Sequence, residues 1–389
     1  MFTIKKFNNI SNIIYSHLPE AEFAVTDSGD SYDGILVRSA DLHEVAFSEN
    51  LAAIARAGAG VNNIPIDACS EAGIVVFNTP GANANAVKEL VICGMLLAGR
   101  KIIPGAEWLD MQAKNGTTGI EKLVEKAKNQ FVGPELAGNK LGVIGLGAIG
   151  VMVATAASAG LGMEVVGYDP YMSVDAAWHL SRAVKHAVNV NAVLRECDYI
   201  TLHLPLNDKT RGTIGREKLA LMKQGAVLLN FARGGLVDDG AMLEALDAGA
   251  LARYVTDFPN EAILGHEGVI ATPHLGASTP ESEENCAQMA AQELAEYLKN
   301  GNIRNSVNLP DCELPRGGGH RVAIINKNIT NMVGQITAVL AAERHNIDHM
   351  LNKSRGAYAY TLIDLEQMPS GDCLKKLRAI AGVLRVRVF

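Results

Sequence analysis

Three glycines, Gly145, Gly147 and Gly150, stand in the spacing G-x-G-x-x-G between the apolar run Leu141-Gly142-Val143-Ile144 and the alanine-rich stretch Val151–Ala159. A strand, a tight turn and a helix in that order suit the capture of a diphosphate. Gly145 allows the turn, Gly147 lets the backbone approach a pyrophosphate, and Gly150 permits close packing of helix against strand. The phosphates then lie at the positive end of the helix. Glycine-rich turns arise by chance, so the motif carries weight only through its context. A second apolar run, Val165-Val166-Gly167-Tyr168, ends in Asp169, 19 residues after Gly150. A carboxylate there accepts hydrogen bonds from both adenosine ribose hydroxyls and repels a 2′-phosphate. The turn is therefore expected to hold NAD rather than NADP.

Three later segments carry groups able to do chemistry beside such a cofactor. Arg233 lies in Asn230-Phe231-Ala232-Arg233-Gly234-Gly235, Glu261 in Asp257-Phe258-Pro259-Asn260-Glu261, and His274 in Thr272-Pro273-His274-Leu275-Gly276. Taken singly, each has an ordinary reading: a surface arginine, a solvated carboxylate, a structural histidine. Together they are the parts needed to take a proton and a hydride from a hydroxyl-bearing carbon. A neutral histidine accepts the hydroxyl proton, a carboxylate fixes its tautomer and stabilises the imidazolium, and an arginine clamps a substrate carboxylate.

The elements that must position these groups alternate strand with helix. Gly34–Val37, Leu51–Ala57 and Ile74–Phe77 read as buried parallel strands or their approaches. Lys140–Ile144, Glu164–Tyr168, Tyr199–Leu202, Ala226–Asn230, Tyr254–Thr256 and Val269–Ala271 continue the pattern, which predicts doubly wound parallel sheets. Pro310 to His320 has the composition of a linker. Beyond it the order is strand (Arg321–Ile325), helix (Ile329–His345), two strands (His349–Lys353, Ala357–Asp364), helix (Gly371–Ala381) and strand (Leu384–Phe389), a ferredoxin-like arrangement.

The chain has 389 residues, enough for two or three domains, with 48% hydrophobic and 20% charged residues. A formal net charge of −7 argues against a general nucleic-acid or membrane-surface binder. Six scattered cysteines contain no C-x-x-C pair, so neither a metal site nor a disulfide framework is expected. The N-terminal octet has no long apolar core and no 18-residue apolar run occurs, so a cytoplasmic protein is expected.

Strand-GLGAIG-Asp, Leu202-His203-Leu204-Pro205-Leu206, the NFARGG segment and Ala271–Thr279, in this order, resemble the D-isomer-specific 2-hydroxyacid dehydrogenase family. Leu36-Val37-Arg38-Ser39, Arg56–Ile64 and Phe77-Asn78-Thr79-Pro80 resemble the branch of that family acting on a phosphorylated substrate. The resemblance implies a catalytic trio of Arg233, Glu261 and His274. It implies NAD contacts at Gly145, Gly147, Ala148, Ile149, Gly150, Asp169, His203, Pro205, Thr210, Ala232 and Asp257. Substrate contacts implied are Arg38 and Arg56 for the phosphate, with backbone amides around Gly60 and Val61.

The implied architecture is a substrate-binding domain of residues 1–83 and 276–310 and an inserted NAD-binding domain of residues 84–275. Helices near Asn85–Arg100 and Pro280–Asn300 would bridge them around a cleft. A homodimer or homotetramer is expected. Residues 320–389 resemble an ACT domain, a regulatory fold that often binds an amino acid. Its ligand positions would be Asn326, Asn328 and Asn346, with L-serine as the candidate ligand; a dimerisation module without ligand is the competing reading.

Several positions depart from the family pattern. Ala148 stands where an arginine is common in the cofactor turn. The segment Asp257–Ala262 is one residue short, which makes the placing of Asp257 less secure than that of Glu261. Lys88 replaces a small residue, and a solvated helix lysine is favoured over a substrate-side cation. Whether Asn115–Gly133 orders over a cleft is not fixed by its sequence. A glyoxylate or hydroxypyruvate reductase and a non-catalytic NAD-sensing corepressor remain open as alternatives.

Overall fold

The computed structural model describes residues 1–389 apart from the Asp175 side chain. The chain forms two compact units, residues 1–83 with 280–389, and residues 84–279.

In the first unit, strands β1 (Phe2–Lys6), β2 (Phe23–Thr26), β3 (Gly34–Val37), β4 (Ala53–Arg56) and β5 (Val75–Phe77) form a parallel sheet in the order β2-β1-β3-β4-β5. Every residue of β3 and β5 is buried, as expected for a strand covered on both faces. The helix Pro280–Asn300 covers one face with Ala287, Ala290, Ala291, Leu294, Tyr297 and Leu298, all nearly inaccessible. Gly34 lets it approach: a Cβ there would meet the Leu294 methyls at 3.1 and 3.2 Å.

In the second unit, β6 (Lys140–Ile144), β7 (Glu164–Tyr168), β8 (Lys185–His186), β9 (Tyr199–Leu202), β10 (Ala226–Asn230), β11 (Leu251–Thr256) and β12 (Val269–Ala271) form a parallel sheet. Their order is β12-β11-β10-β9-β6-β7-β8. The order reverses between β6 and β9, the place where doubly wound sheets bind ligands. The helices Ala84–Gly99 and Ala148–Gly160 cover it through Val87, Val91, Met95, Val151, Val153, Ala154 and Ala157.

A four-stranded antiparallel sheet, β14-β15-β13-β16, completes the first unit from β13 (His320–Lys327), β14 (Ile347–Arg355), β15 (Tyr358–Leu365) and β16 (Val383–Val388). This is the ferredoxin-like order expected. The helix expected over Ile329–His345 is shorter, Met332–Ala342, because Asn331 and Arg344 adopt left-handed backbone at φ 66° and 61°. Alternation along the strands divides the core. Val322, Ile324, Ile363 and Leu365 pack on Ile336, Leu340 and Leu377. On the other face, Ala323, Ile325, Tyr360 and Leu362 share one core with Phe77, Tyr297, Leu309 and Cys312.

The linker expected between Pro310 and His320 is consequently tied down in its first half. Cys312 and Ile303 exchange backbone hydrogen bonds of 2.8 and 2.9 Å, and the Leu314 amide donates to Asn302 at 3.0 Å. Arg321 is fully buried against Asp364, with N–O distances of 2.6 and 2.9 Å. It also donates to the carbonyls of Asn300 and Pro315 at 3.0 and 3.1 Å. Contacts at Cys312, Leu314 and the Pro315 carbonyl thus tie the first half of this segment to the unit, whereas Arg316, Gly317 and Gly318 are exposed.

Among the described residues, no helix is long and apolar enough to cross a membrane.

Candidate active site

The cofactor turn is shaped by what its glycines exclude. Gly145 has φ 96°, in the left-handed region that favours glycine, and a Cβ there would lie 2.4 Å from the His203 carbonyl oxygen. A Cβ on Gly150 would lie 2.0 Å from the Gly145 carbonyl oxygen, a backbone clash that nothing nearby can relieve. At Gly147 a Cβ would meet nothing within 4 Å, so the open side of the turn is there. Gly147 caps the helix Ala148–Gly160, and no side chain accepts from the first turn. Its amides and dipole are therefore available to an anion. Ala148 adds no charge, leaving backbone as the phosphate partner.

Asp169 follows β7 as expected. Its carboxylate accepts from the amides of Leu146 and Tyr171, each at 2.8 Å, which aims it at the turn and leaves lone pairs on both oxygens. Beyond β9, His203 donates its amide to the Ile144 carbonyl at 2.8 Å. Its Nε2 lies 3.1 Å from Thr201 Oγ1, and its Nδ1 is enclosed without a partner. Burial pushes its pKa down to about 4, so this imidazole is neutral at physiological pH. Thr210 closes the loop that follows: its hydroxyl donates to the Pro205 carbonyl at 2.6 Å and accepts from the Asn207 amide at 2.9 Å. Taken together, the open glycine, the uncapped helix and the carboxylate at the end of β7 fit a dinucleotide.

Arg233 leaves the end of β10 on a loop held by one side chain. Asn230 Oδ1 accepts from the amides of Ala232 and Arg233 at 3.2 and 3.4 Å, and its Nδ2 donates to the Arg233 carbonyl at 2.9 Å. Arg233 is exposed, and its guanidinium donates to the carbonyl of its neighbour Ala232 at 2.7 Å.

His274 is exposed, with φ 56°, a conformation sparsely used by residues other than glycine and costly unless its surroundings enforce it. Those surroundings are Asp257 and Phe258. Asp257, 1% exposed, accepts from the Thr272 hydroxyl at 2.6 Å and from the amides of Leu275 and Gly276 at 2.7 Å each. One carboxylate thus bonds both sides of the loop that presents the imidazole. The Phe258 ring supports the imidazole face, with centroids 4.7 Å apart. Asp257 was expected as a cofactor contact; its observed partners are groups of this loop. Glu261 is exposed on the segment after Phe258. It forms no ion pair with His274: among the described residues, the histidine ion pairs are His43–Asp41 and His266–Asp247.

Lys88 is bound within its own helix, to Asn85 Oδ1 at 2.6 Å, with Glu89 at 3.9 Å. In the segment 115–133, Ile120–Ala127 is helical. The preceding helix Ile102–Lys114 buries no residue, and Trp108 meets Phe131 at 5.7 Å.

In the first unit, Arg38 follows β3 and Arg56 ends β4, so both leave the C-terminal edges of neighbouring parallel strands, where such sheets bind ligands. Arg56 Nε donates to the Arg38 carbonyl at 3.0 Å. The loop beyond, carrying Gly60 and Val61, is braced from one segment. The Gly58 amide donates to Thr79 Oγ1 at 2.8 Å, the Thr79 amide to the Gly58 carbonyl at 3.2 Å, and Asn78 Nδ2 to the Ala59 carbonyl at 2.6 Å. Asn78, Thr79 and Asn230 lie within the motifs noted above without a role of their own there. A short polar residue beside a glycine-rich loop was the available signal.

The three asparagines of the C-terminal module do not meet within the chain. Asn328 donates to Gly356 at the β14–β15 hairpin tip, and Asn346 to Glu366 at the opposite end of those strands. Nine residues of β14 separate the two ends by about 30 Å. Asn326 is 1% exposed; its Nδ2 donates to the Lys327 carbonyl at 2.8 Å and its Oδ1 has no partner.

Comparison with known proteins agrees with this geometry. Residues 93–276 match the D-isomer specific 2-hydroxyacid dehydrogenase, NAD binding domain. The chain is 40% identical over 270 residues to D-3-phosphoglycerate dehydrogenase of Methanocaldococcus jannaschii, an alignment covering 68% of this chain and 49% of that protein. It is 34% identical over 331 residues to the enzyme of the same name from Bacillus subtilis, covering 80% and 59%. The chain thus spans about half the length of the curated relatives it matches. Among solved structures, NAD⁺-bound 3-phosphoglycerate dehydrogenase of Entamoeba histolytica superposes with a TM-score of 0.61 at 28% identity, covering 79% of this chain and 98% of that one. Residues 93–276 thus match, over their whole span, the NAD-binding domain of the D-isomer specific 2-hydroxyacid dehydrogenases.

Proposed function

We propose that the chain is a D-3-phosphoglycerate dehydrogenase, oxidising 3-phosphoglycerate to 3-phosphohydroxypyruvate at the entry to serine synthesis. The observation that carries this reading is the pair Arg38 and Arg56, on adjacent strand ends with the Nε of one on the carbonyl of the other at 3.0 Å. Two guanidiniums at one sheet edge suit a phosphate dianion, and the relatives bear the same substrate in their names.

NAD supplies the hydride acceptor. Arg233 clamps the substrate carboxylate, and the amides near Gly60 and Val61 hold its oxygens. His274 takes the proton from the C2 hydroxyl as C2 gives up its hydride, leaving a ketone and an imidazolium. Glu261 stabilises that imidazolium. Asp257 and Phe258 hold the ring in place.

Arg56→Ala is expected to raise the apparent KM for 3-phosphoglycerate at least ~10-fold more than for an unphosphorylated 2-hydroxy acid. Equal effects on both would make Arg56 structural and remove the phosphate reading.

The C-terminal module acts on this reading as a regulatory element for L-serine, with Asn326, Asn328 and Asn346 as its contacts. Since one chain places Asn346 far from the other two, the site is completed between subunits of a homo-oligomer. Addition of L-serine should then lower turnover or raise the melting temperature; no change in either would remove the regulatory role.

A further inference from the structure

The two arginines differ in what holds them. The Arg38 carbonyl accepts from Arg56 Nε at 3.0 Å and from Asn63 Nδ2 at 3.5 Å, so its backbone is placed by its own side of the sheet. Its guanidinium is engaged elsewhere: Nη2 lies 2.5 Å from Glu283 Oε1, and both side chains are 43% exposed. Glu283 lies in the first turn of the helix Pro280–Asn300, where the helix dipole favours a carboxylate. The ion pair is therefore not needed to set the position of the loop. Its effect is to occupy one of the two cations that would receive a phosphate.

We infer that Glu283 is a specificity-determining residue that competes with phosphate for Arg38. This rests on the reading of Arg38 and Arg56 as phosphate ligands. An exposed ion pair is weak, whereas a phosphate dianion meets guanidinium with two charges and a matching fork of acceptors. A substrate anchored also at its carboxylate displaces Glu283; free inorganic phosphate, held at one end only, does so poorly. The competition weakens both by the same factor, which a substrate with a second anchor can offset and free phosphate cannot.

Glu283→Gln keeps the size and removes the charge. Measured at fixed ionic strength, the variant should show a KM for 3-phosphoglycerate and a Ki for inorganic phosphate each lowered about three- to fivefold, with the KM of unphosphorylated glycerate moving far less. Unchanged values would overturn the inference, and so would a raised KM, which would mean that Glu283 orders Arg38. Arg38→Ala, assayed in parallel, separates the two layers. If it raises the KM for 3-phosphoglycerate while Glu283→Gln changes nothing, only the competition fails; if it leaves that KM unchanged, the phosphate role of Arg38 falls and the inference with it.

Discussion

Replacing His274 with alanine should lower turnover at least ~100-fold, the usual scale for loss of a positioned general base, while NAD still binds. Among the described residues the resting imidazole forms no ion pair, Glu261 being called on only once the imidazolium forms, and its neighbours aim it. A left-handed backbone at φ 56°, the Phe258 ring at 4.7 Å and three hydrogen bonds from the loop to Asp257 fix where it points. On the proposed reading NAD is held by the turn Gly145–Gly150 and Asp169, which this substitution does not touch. Binding followed by calorimetry and turnover followed by NADH absorbance separate the two effects. Full turnover in the variant would remove His274 from proton transfer.

The second large effect is one of stability. Arg321→Met should destabilise the fold by ~3–5 kcal/mol, because it leaves the Asp364 carboxylate buried without its counter-charge. Asp364 is 5% exposed, and both its oxygens are bonded to Arg321. The carbonyls of Asn300 and Pro315 lose a donor at the same time. The apparent melting temperature should fall by on the order of 10 °C, read by circular dichroism. The double variant Arg321→Met, Asp364→Leu should recover much of that loss, since two apolar groups replace an unpaired charge. No recovery would show that the carbonyl contacts, and not the ion pair, hold the segment.

How far the sequence revealed this molecule depended on the kind of signal. Short, mostly apolar runs marked β6, β7, β9, β10 and β12 to the residue; the inner strands β6, β9 and β10 are covered on both faces, while the edge strand β12 was marked by Val269-Ile270-Ala271 alone. The cofactor turn was legible because each glycine answers a separate steric demand, as the clashes at Gly145 and Gly150 show. The first two strands, Phe2–Lys6 and Phe23–Thr26, gave no such run. In Phe2–Lys6 only Ile4 is buried, and Lys5 and Lys6 disguise a strand that pairs with β2 and β3. The braces of the site were hidden for another reason. Asp257 to Gly276, Asn230 to Arg233 and Thr79 to Gly58 are single side chains bonded to loop backbone, and sequence spacing does not announce such partners. The segment before β13 read as a tether because its composition is that of one; the bonds at Cys312, Leu314 and the Pro315 carbonyl tie down the part ahead of its glycines.

On the proposed reading this chain oxidises a phosphorylated 2-hydroxy acid with NAD. The direct measurement is NADH formation at 340 nm with 3-phosphoglycerate, beside glycolate and glycerate, with NAD and NADP in parallel. Turnover with 3-phosphoglycerate and NAD at far higher kcat/KM than any other pairing is the expected result. Preference for glycolate, or for NADP, would contradict the roles given to Arg38, Arg56 and Asp169, and no turnover on any 2-hydroxy acid would contradict the account as a whole.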